Sequence, residues 1–375
     1  MEISLKDARR MILLAQKLSG QELLSTLPVI KHIGHVQIDT ISVVERAHHH
    51  TLWTRNKNYK TSEIDELMAK RNIFEYWSHA ASYLPIQSYR YCLPRMRLYQ
   101  TGKNHWFKAD KKTLKYVLDT IKAEGAKKAG DFKSERKNSE WFDWAPAKKA
   151  LEQLFMDGTL MVSQREGFHK VYDLKENVLP QGLDTSYPSD REFAEFLILS
   201  QLQSQAIASG DEISYQRGAQ TKLLVAKTLA HMLEDKKLIQ VKIEKSHKCF
   251  YLTPDSLTNL EQTKMNVKQV HILSPFDNLV IQRKRLKYFF DFDYQIECYI
   301  PSHKRKYGYF CLPLLVGDQF VGRMDAKADR KSNTFIVKKI FYEQADVKKS
   351  VVKALEKKIK EFADFNSCSK LIYES

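Results

Sequence analysis

The sequence predicts an α+β protein built from tandem winged helix-turn-helix motifs, three in all, followed by a C-terminal β-rich domain. Three observations carry that expectation. A helix–helix–hairpin plan occurs twice in the middle of the chain, and a looser copy fits roughly the first hundred residues. From about Val267 the pattern changes to short runs rich in aromatic and β-branched residues.

The N-terminal copy spans residues 1–105, with helices in "LKDARRMILLAQKL" and "GQELLSTLPVIKHIG" and strands in "HVQIDTISVV" and "HHHTLWTR". Val36, Ile38 and Thr40 alternate with Gln37, Asp39 and Ile41, so Gln37 and Asp39 project from one face of an extended segment. In the second copy, 106–180, "KKTLKYVLDTIKAEG" sets Leu114, Val117, Leu118 and Ile121 at a helical period. A second helix, "APAKKALEQLFMDG", has Pro146 near its start and Gly158 in the turn that ends it. The runs "TLMVSQ" and "HKVYDL" then pair around "REGF".

The third copy, 181–262, repeats the plan with "REFAEFLILSQLQSQAIASG", "TKLLVAKTLAHMLEDKK" and the hairpin "LIQVKIE"/"KCFYLT". Aligning "AKKALEQLFMDGTLMV" with "VAKTLAHMLEDKKLIQV" shows the same helix-into-strand step twice. In 263–375 the runs "VHILSPFDNLVIQ", "YQIECYI", "YGYFCLPLLVGDQFVGRMDAKA" and "NTFIVKKIFYE" are strands, with a turn at Gly317-Asp318. The closing "DVKKSVVKALEKKIKEFADF" is a helix.

Composition bounds the function. With 43% hydrophobic residues, 13 Gly and 10 Pro, the chain holds material for substantial cores and too little Gly and Pro for disorder. Lys and Arg outnumber Asp and Glu, 61 to 45, a net charge of +16 that points to a polyanion. No apolar run reaches the roughly 20 residues of a membrane span, and the N-terminus lacks the apolar core of a signal peptide. The five cysteines are scattered and never in CxxC spacing, so neither disulfides nor a zinc site is expected. Together these favour a reduced, cytoplasmic protein, nucleoid-associated when on DNA. No heptad or dimer helix stands out, so a monomer is expected.

Chemistry has four candidate locations. Gln37 and Asp39 suit cleavage of an N-glycosidic bond: the carboxylate stabilises positive charge developing on the sugar, and the amide holds a water as both donor and acceptor. Neighbouring cations are expected to keep the Asp39 pKa low. The same tripeptide also suits a capped turn or a polar pair inside a core, and spacing alone does not decide. In "AHHHTLW", His48, His49 and His50 on a strand point alternately and do not converge on a metal, which leaves phosphate or base contacts or plain surface residues. "FEYWSHAASYLP" gathers Glu75, Tyr76, Trp77 and His79, either for stacking and contact at a base or as a packed interface. Arg283, Lys284 and Arg285, and Lys304, Arg305 and Lys306, lie among aromatics, either as a phosphate clamp or as a charged edge strand.

The segments "QIDTISVVERAHH", "EYWSHAAS" and "LSPFD…RKRL…FDY…KRKYGYFCLPLLVGDQFVGRMDAKADR", with the tandem helix–hairpin copies, resemble the YcaQ/AlkZ-like family of winged-helix DNA glycosylases over nearly the whole chain. The resemblance implies excision of alkylated purines of the N7-alkylguanine type from double-stranded DNA, including the unhooking of interstrand crosslinks, in base excision repair. It implies a monofunctional enzyme with no metal or organic cofactor. Carried over by position, Gln37 holds the water, Asp39 stabilises the sugar cation, and His79, with Glu75, Tyr76 and Trp77, lies near the lesion. Arg55 and Arg323 join His48, His49 and the two basic clusters as DNA contacts. The Lys-rich stretch 122–140 matches nothing in the family. The competing readings are a winged-helix regulator without catalysis, and a nuclease, for which no clustered carboxylates stand out.

Overall fold

A computed structural model describes residues 1–20, 25–102, 108–132, 146–262 and 268–374. The chain divides into two compact units, one formed by Met1–Tyr59 with Ala194–Ser375 and the other by Lys60–Phe193.

The discontinuous unit holds two sheets. In the first, the hairpin Ile239–Ile243/Cys249–Leu252 takes Ile207–Ser209 antiparallel on one edge and the N-terminal strand Glu2–Ile3 parallel on the other. The helix Asp190–Gln205, within which the unit boundary falls, precedes this sheet's edge strand. A short helix Gly210–Ile213 and the helix Ala219–Glu234 then lead into the hairpin, so the two long helices precede the hairpin as expected, with a strand and a short helix inserted where "AIASG" was read as helix. The second sheet has five strands in chain order, Val270–Ile272, Leu312–Val316, Gln319–Asp329, Thr334–Tyr342 and Lys370–Tyr373, the last joined parallel. The turn at Gly317-Asp318 falls where the sequence sets it, with Gly317 at φ +60°. The helix Lys349–Phe365 buries Leu355, Ile359 and Phe362 on one side, as its periodic apolar residues require. A continuous core joins Met11, Ile12 and Leu13 to Phe250, Phe289, Phe292 and Phe320.

The contiguous unit contains the hairpin Ile73–Trp77/Ala81–Pro85 and a three-stranded sheet of Lys127–Lys128, His169–Leu174 and Leu160–Glu166. Helices Lys111–Glu124 and Pro146–Met156 sit where the second copy puts them. Gly158 ends the second helix at φ +79°, and a side chain there would run into Met96. Of the Lys-rich stretch, 127–132 forms the short strand and a single 3₁₀ turn, and 133–140 lies outside the described residues.

Five sequence expectations are corrected. "HVQIDTISVV" is strand only at Val36–Gln37. "HHHTLWTR" is part of the helix Ala47–Arg55, not a strand. Eight of its nine residues are buried, so it carries no polar stripe from which a helical period could be read. "QRKRLKYFFDFDY" contains the helix Arg283–Phe290 rather than an edge strand. Finally, "YQIECYI" is irregular, and "VHILSPFDNLVIQ" is extended only at Val270–Ile272. Among the described residues, no helix is long and apolar enough to cross a membrane.

Candidate active site

The segment carrying Gln37 and Asp39 is fixed at both ends. Before it, the helix Thr26–Ile33 stops at Gly34, whose φ of +79° closes the helix in the left-handed region. The Asn278 amide then donates to the carbonyls of Ile33 (3.2 Å) and His35 (3.0 Å). After it, Ala328 N–H donates to the Val43 carbonyl (2.8 Å), Arg330 to that of Ser42 (3.0 Å), and Glu45 N–H to the Asn366 side chain (2.6 Å).

Between these anchors Val36 and Ile38 are buried while Gln37 and Asp39 are half-buried, so the alternation read from the sequence holds over these four residues and ends at the exposed Thr40. One Asp39 carboxylate oxygen accepts from Ile41 N–H at 2.7 Å, which fixes the side chain in an Asx-type turn. Burial raises the Asp39 pKa above its ordinary 3.8, and the Ile41 hydrogen bond offsets part of the rise. The expected depression by nearby cations is therefore corrected: desolvation is the larger effect.

A second loop of the same unit lies within electrostatic reach of Asp39. The Cys298 thiol and the Tyr299 phenol are both pushed up by partial burial, and the Asp39 carboxylate adds to each. The sequence reading missed this loop, because "YQIECYI" alternates like a strand. Its signal was Glu297, an acid inside an aromatic-rich run. That carboxylate accepts from the N–H groups of Lys306 (3.0 Å), Tyr307 (2.8 Å) and Gly308 (3.0 Å) and folds the loop back on itself. Gly308 has φ +145°, and a Cβ there would collide with the Asp325 carboxylate.

The other candidates separate into exposed and buried groups. Lys304 and Lys306 are exposed on the Glu297 loop, whereas Arg305 is half-buried and donates to the carbonyls of Glu297 (3.2 Å) and Ile300 (2.8 Å). Lys284 is exposed and lines a cleft of about 880 Å³ together with Lys222, Lys245, Lys248 and Tyr288. Trp77 and His79 are half-buried at the end of their hairpin, where the turn closes from Ser78 N–H to the Ala80 carbonyl.

Eight expected contacts are instead spent inside the fold. Arg55 is 0% exposed, and its guanidinium grips Asp277 through two bonds (2.7 and 2.9 Å) and also bonds Gln16 and Thr51. Arg285 pairs with Glu212 at 2.7 Å, and Arg323 pairs with Glu343 at 2.7 Å between the rings of Phe292 and Tyr307. Arg283 is turned inward, donating to the Val280 and Pro275 carbonyls over Tyr294. Glu75 is buried in a two-bond pair with Arg165 (2.8 Å each), and the buried Tyr76 hydroxyl donates to the Met156 carbonyl at 2.6 Å. His48 is buried, and His49 shares a 2.6 Å hydrogen bond with Tyr59. Burial lowers the pKa of His49 and His50 to about 4, so both are neutral at pH 7 and offer no cation to a phosphate. Among the described residues, no three His, Cys, Asp or Glu side chains group as metal ligands.

The chain is a strongly basic α+β protein with helix–hairpin segments, and it carries an amide and a carboxylate, both half-buried, two residues apart on a pinned segment. The chain belongs to the AlkZ-like DNA glycosylases: the family model described as "DNA glycosylase AlkZ-like" matches residues 30–365. In fold it is similar to the DNA glycosylase AlkZ of Streptomyces sahachiroi, with a TM-score of 0.68 at 16% identity over 100% of both chains.

Proposed function

We propose that this glycosylase hydrolyses the N-glycosidic bond of N7-alkylated purines, including those tied into interstrand crosslinks, and leaves an abasic site without cutting the strand. The observation that carries this reading is the pairing of Gln37 and Asp39 on one face of a segment whose alternate residues, Val36 and Ile38, are buried. Asp39 meets the positive charge that develops on the sugar as a cationic base departs. Gln37 orients the water that attacks that carbon. A cationic purine is a good leaving group, so no general acid is required.

The test is incubation of the protein with a duplex carrying N7-methylguanine and, separately, an N7-linked interstrand crosslink, followed by alkali. Strand scission only after alkali is expected on both. Scission before alkali contradicts the monofunctional reading, and release from neither duplex contradicts the substrate assignment.

DNA is held in part by the lysine-lined cleft. Lys222, Lys245 and Lys284 line it as candidate phosphate contacts, while Lys248 pairs with Asp211 (3.3 Å) and Lys245 lies 3.9 Å from Glu244. Replacing all three with alanine is expected to weaken binding to undamaged duplex and to reduce the slope of log K against log salt by about 1 per lysine lost. Fluorescence anisotropy at several salt concentrations measures this, and an unchanged slope removes the cleft from the DNA-binding surface.

A further inference from the structure

Among the described residues, the most exposed large apolar side chain is that of Tyr299, at 78%. A lone exposed aromatic is ordinary on a protein surface and by itself asks for no explanation. This one differs in how firmly it is held out. Ile300 N–H donates to the Glu297 carbonyl at 2.9 Å, so Cys298 and Tyr299 are the two corner residues of a tight turn. The turn is braced by Arg305 Nε on the Glu297 and Ile300 carbonyls, and by the Glu297 carboxylate on three successive backbone N–H groups. The Tyr299 backbone is thus fixed while most of its side chain is open to solvent. Both corner residues feel the Asp39 carboxylate electrostatically, and Lys304 and Lys306 are exposed farther along the same loop.

We propose that Tyr299 is a specificity-determining residue that stacks on the alkylated purine while Asp39 faces the sugar, selecting bases that carry positive charge. This rests on the glycosylase reading above. Every base has a face on which an aromatic ring can stack. A purine alkylated at N7 is also a cation, and a tyrosine ring attracts a cation over its face through its quadrupole. Neutral, undamaged purines receive only the weaker part of that attraction.

The experiment compares wild type, Tyr299→Ala and Tyr299→Phe on two duplexes, one undamaged and one carrying N7-methylguanine on a 2′-fluorinated sugar that resists hydrolysis. Binding is read by anisotropy. Wild type and Tyr299→Phe are expected to prefer the damaged duplex, because the ring and not the hydroxyl makes the stack. Tyr299→Ala is expected to bind the damaged duplex roughly 5- to 150-fold more weakly while its affinity for undamaged DNA stays within about two-fold. Equal preference in wild type and Tyr299→Ala, no preference in wild type, or a Tyr299→Phe variant as poor as alanine each overturns the proposal. Release of N7-methylguanine from an ordinary duplex by wild type reports the glycosylase reading separately, so the two can fail independently. Because Tyr299 is exposed, all three proteins are expected to melt at the same temperature.

Discussion

Asp39→Asn is expected to lower the single-turnover rate of base release from an N7-methylguanine duplex by roughly 10²- to 10³-fold, with DNA affinity nearly unchanged. The substitution keeps the side chain's shape and leaves an oxygen to accept from Ile41 N–H, so the segment's conformation survives. What disappears is the full negative charge facing the sugar as it becomes cationic. The pH profile carries a second signature. In the proposed mechanism the working form of Asp39 is the carboxylate, so the wild-type rate is expected to fall as pH drops through its pKa. Burial holds that pKa above 3.8, so the acid limb lies at higher pH than for an exposed aspartate. The asparagine variant has no such limb. Equal rates for the two proteins, or the same acid limb in both, rule Asp39 out as the electrostatic partner of the sugar.

The largest effect on stability is expected at Arg55. Its pair with Asp277 is fully buried on both sides, and Gln16 and Thr51 take its remaining donors. Arg55→Ala leaves Asp277 charged and without its partner in the interior, a loss of about 3–5 kcal/mol. For a unit of roughly 200–250 residues that lowers the melting temperature on the order of 10 °C. Arg55→Lys is expected to fail almost as badly, since an ammonium does not reproduce a five-donor planar fork. The double variant Arg55→Met/Asp277→Leu recovers much of the loss, because no uncompensated charge remains. A melting temperature for Arg55→Ala within about 2 °C of wild type contradicts the assignment.

Much of the architecture is legible in the sequence because its signals are local. The hairpin through Gly317 pairs an apolar run with a mixed strand around a glycine that takes a positive φ. The helix Lys349–Phe365 shows its apolar stripe openly. Misreadings cluster where the deciding partner is remote. The helix Ala47–Arg55 is buried nearly all round, so its β-branched and aromatic residues imitate a strand. Arg285 looks like a phosphate ligand until Glu212, far back in the chain, takes it.

The proposed site divides in the same way. Gln37 and Asp39 were legible because a period of two puts them on one face of a short segment, whichever elements hold it. The loop bearing Tyr299 was not, because it turns on Glu297 capturing N–H groups nine to eleven residues ahead. Nothing in the spacing announces that capture. The raised Asp39 pKa was hidden for a related reason: charge is countable in a sequence, and desolvation is not.

The split of one unit into Met1–Tyr59 and Ala194–Ser375 also sets a timetable for synthesis. Arg55 leaves the ribosome 222 residues before Asp277 exists. At about 5–20 residues per second that is a wait of roughly 10–40 seconds. During that interval Lys60–Phe193 can complete its internal pairs, Glu75 with Arg165 among them, as an uninterrupted stretch. The N-terminal helices must meanwhile keep apolar residues such as Met11, Ile12 and Leu13 from other partners, since the aromatic cluster that covers them arrives last. A nascent chain stalled before Asp277 is therefore the form of this protein most exposed to chaperones and to aggregation.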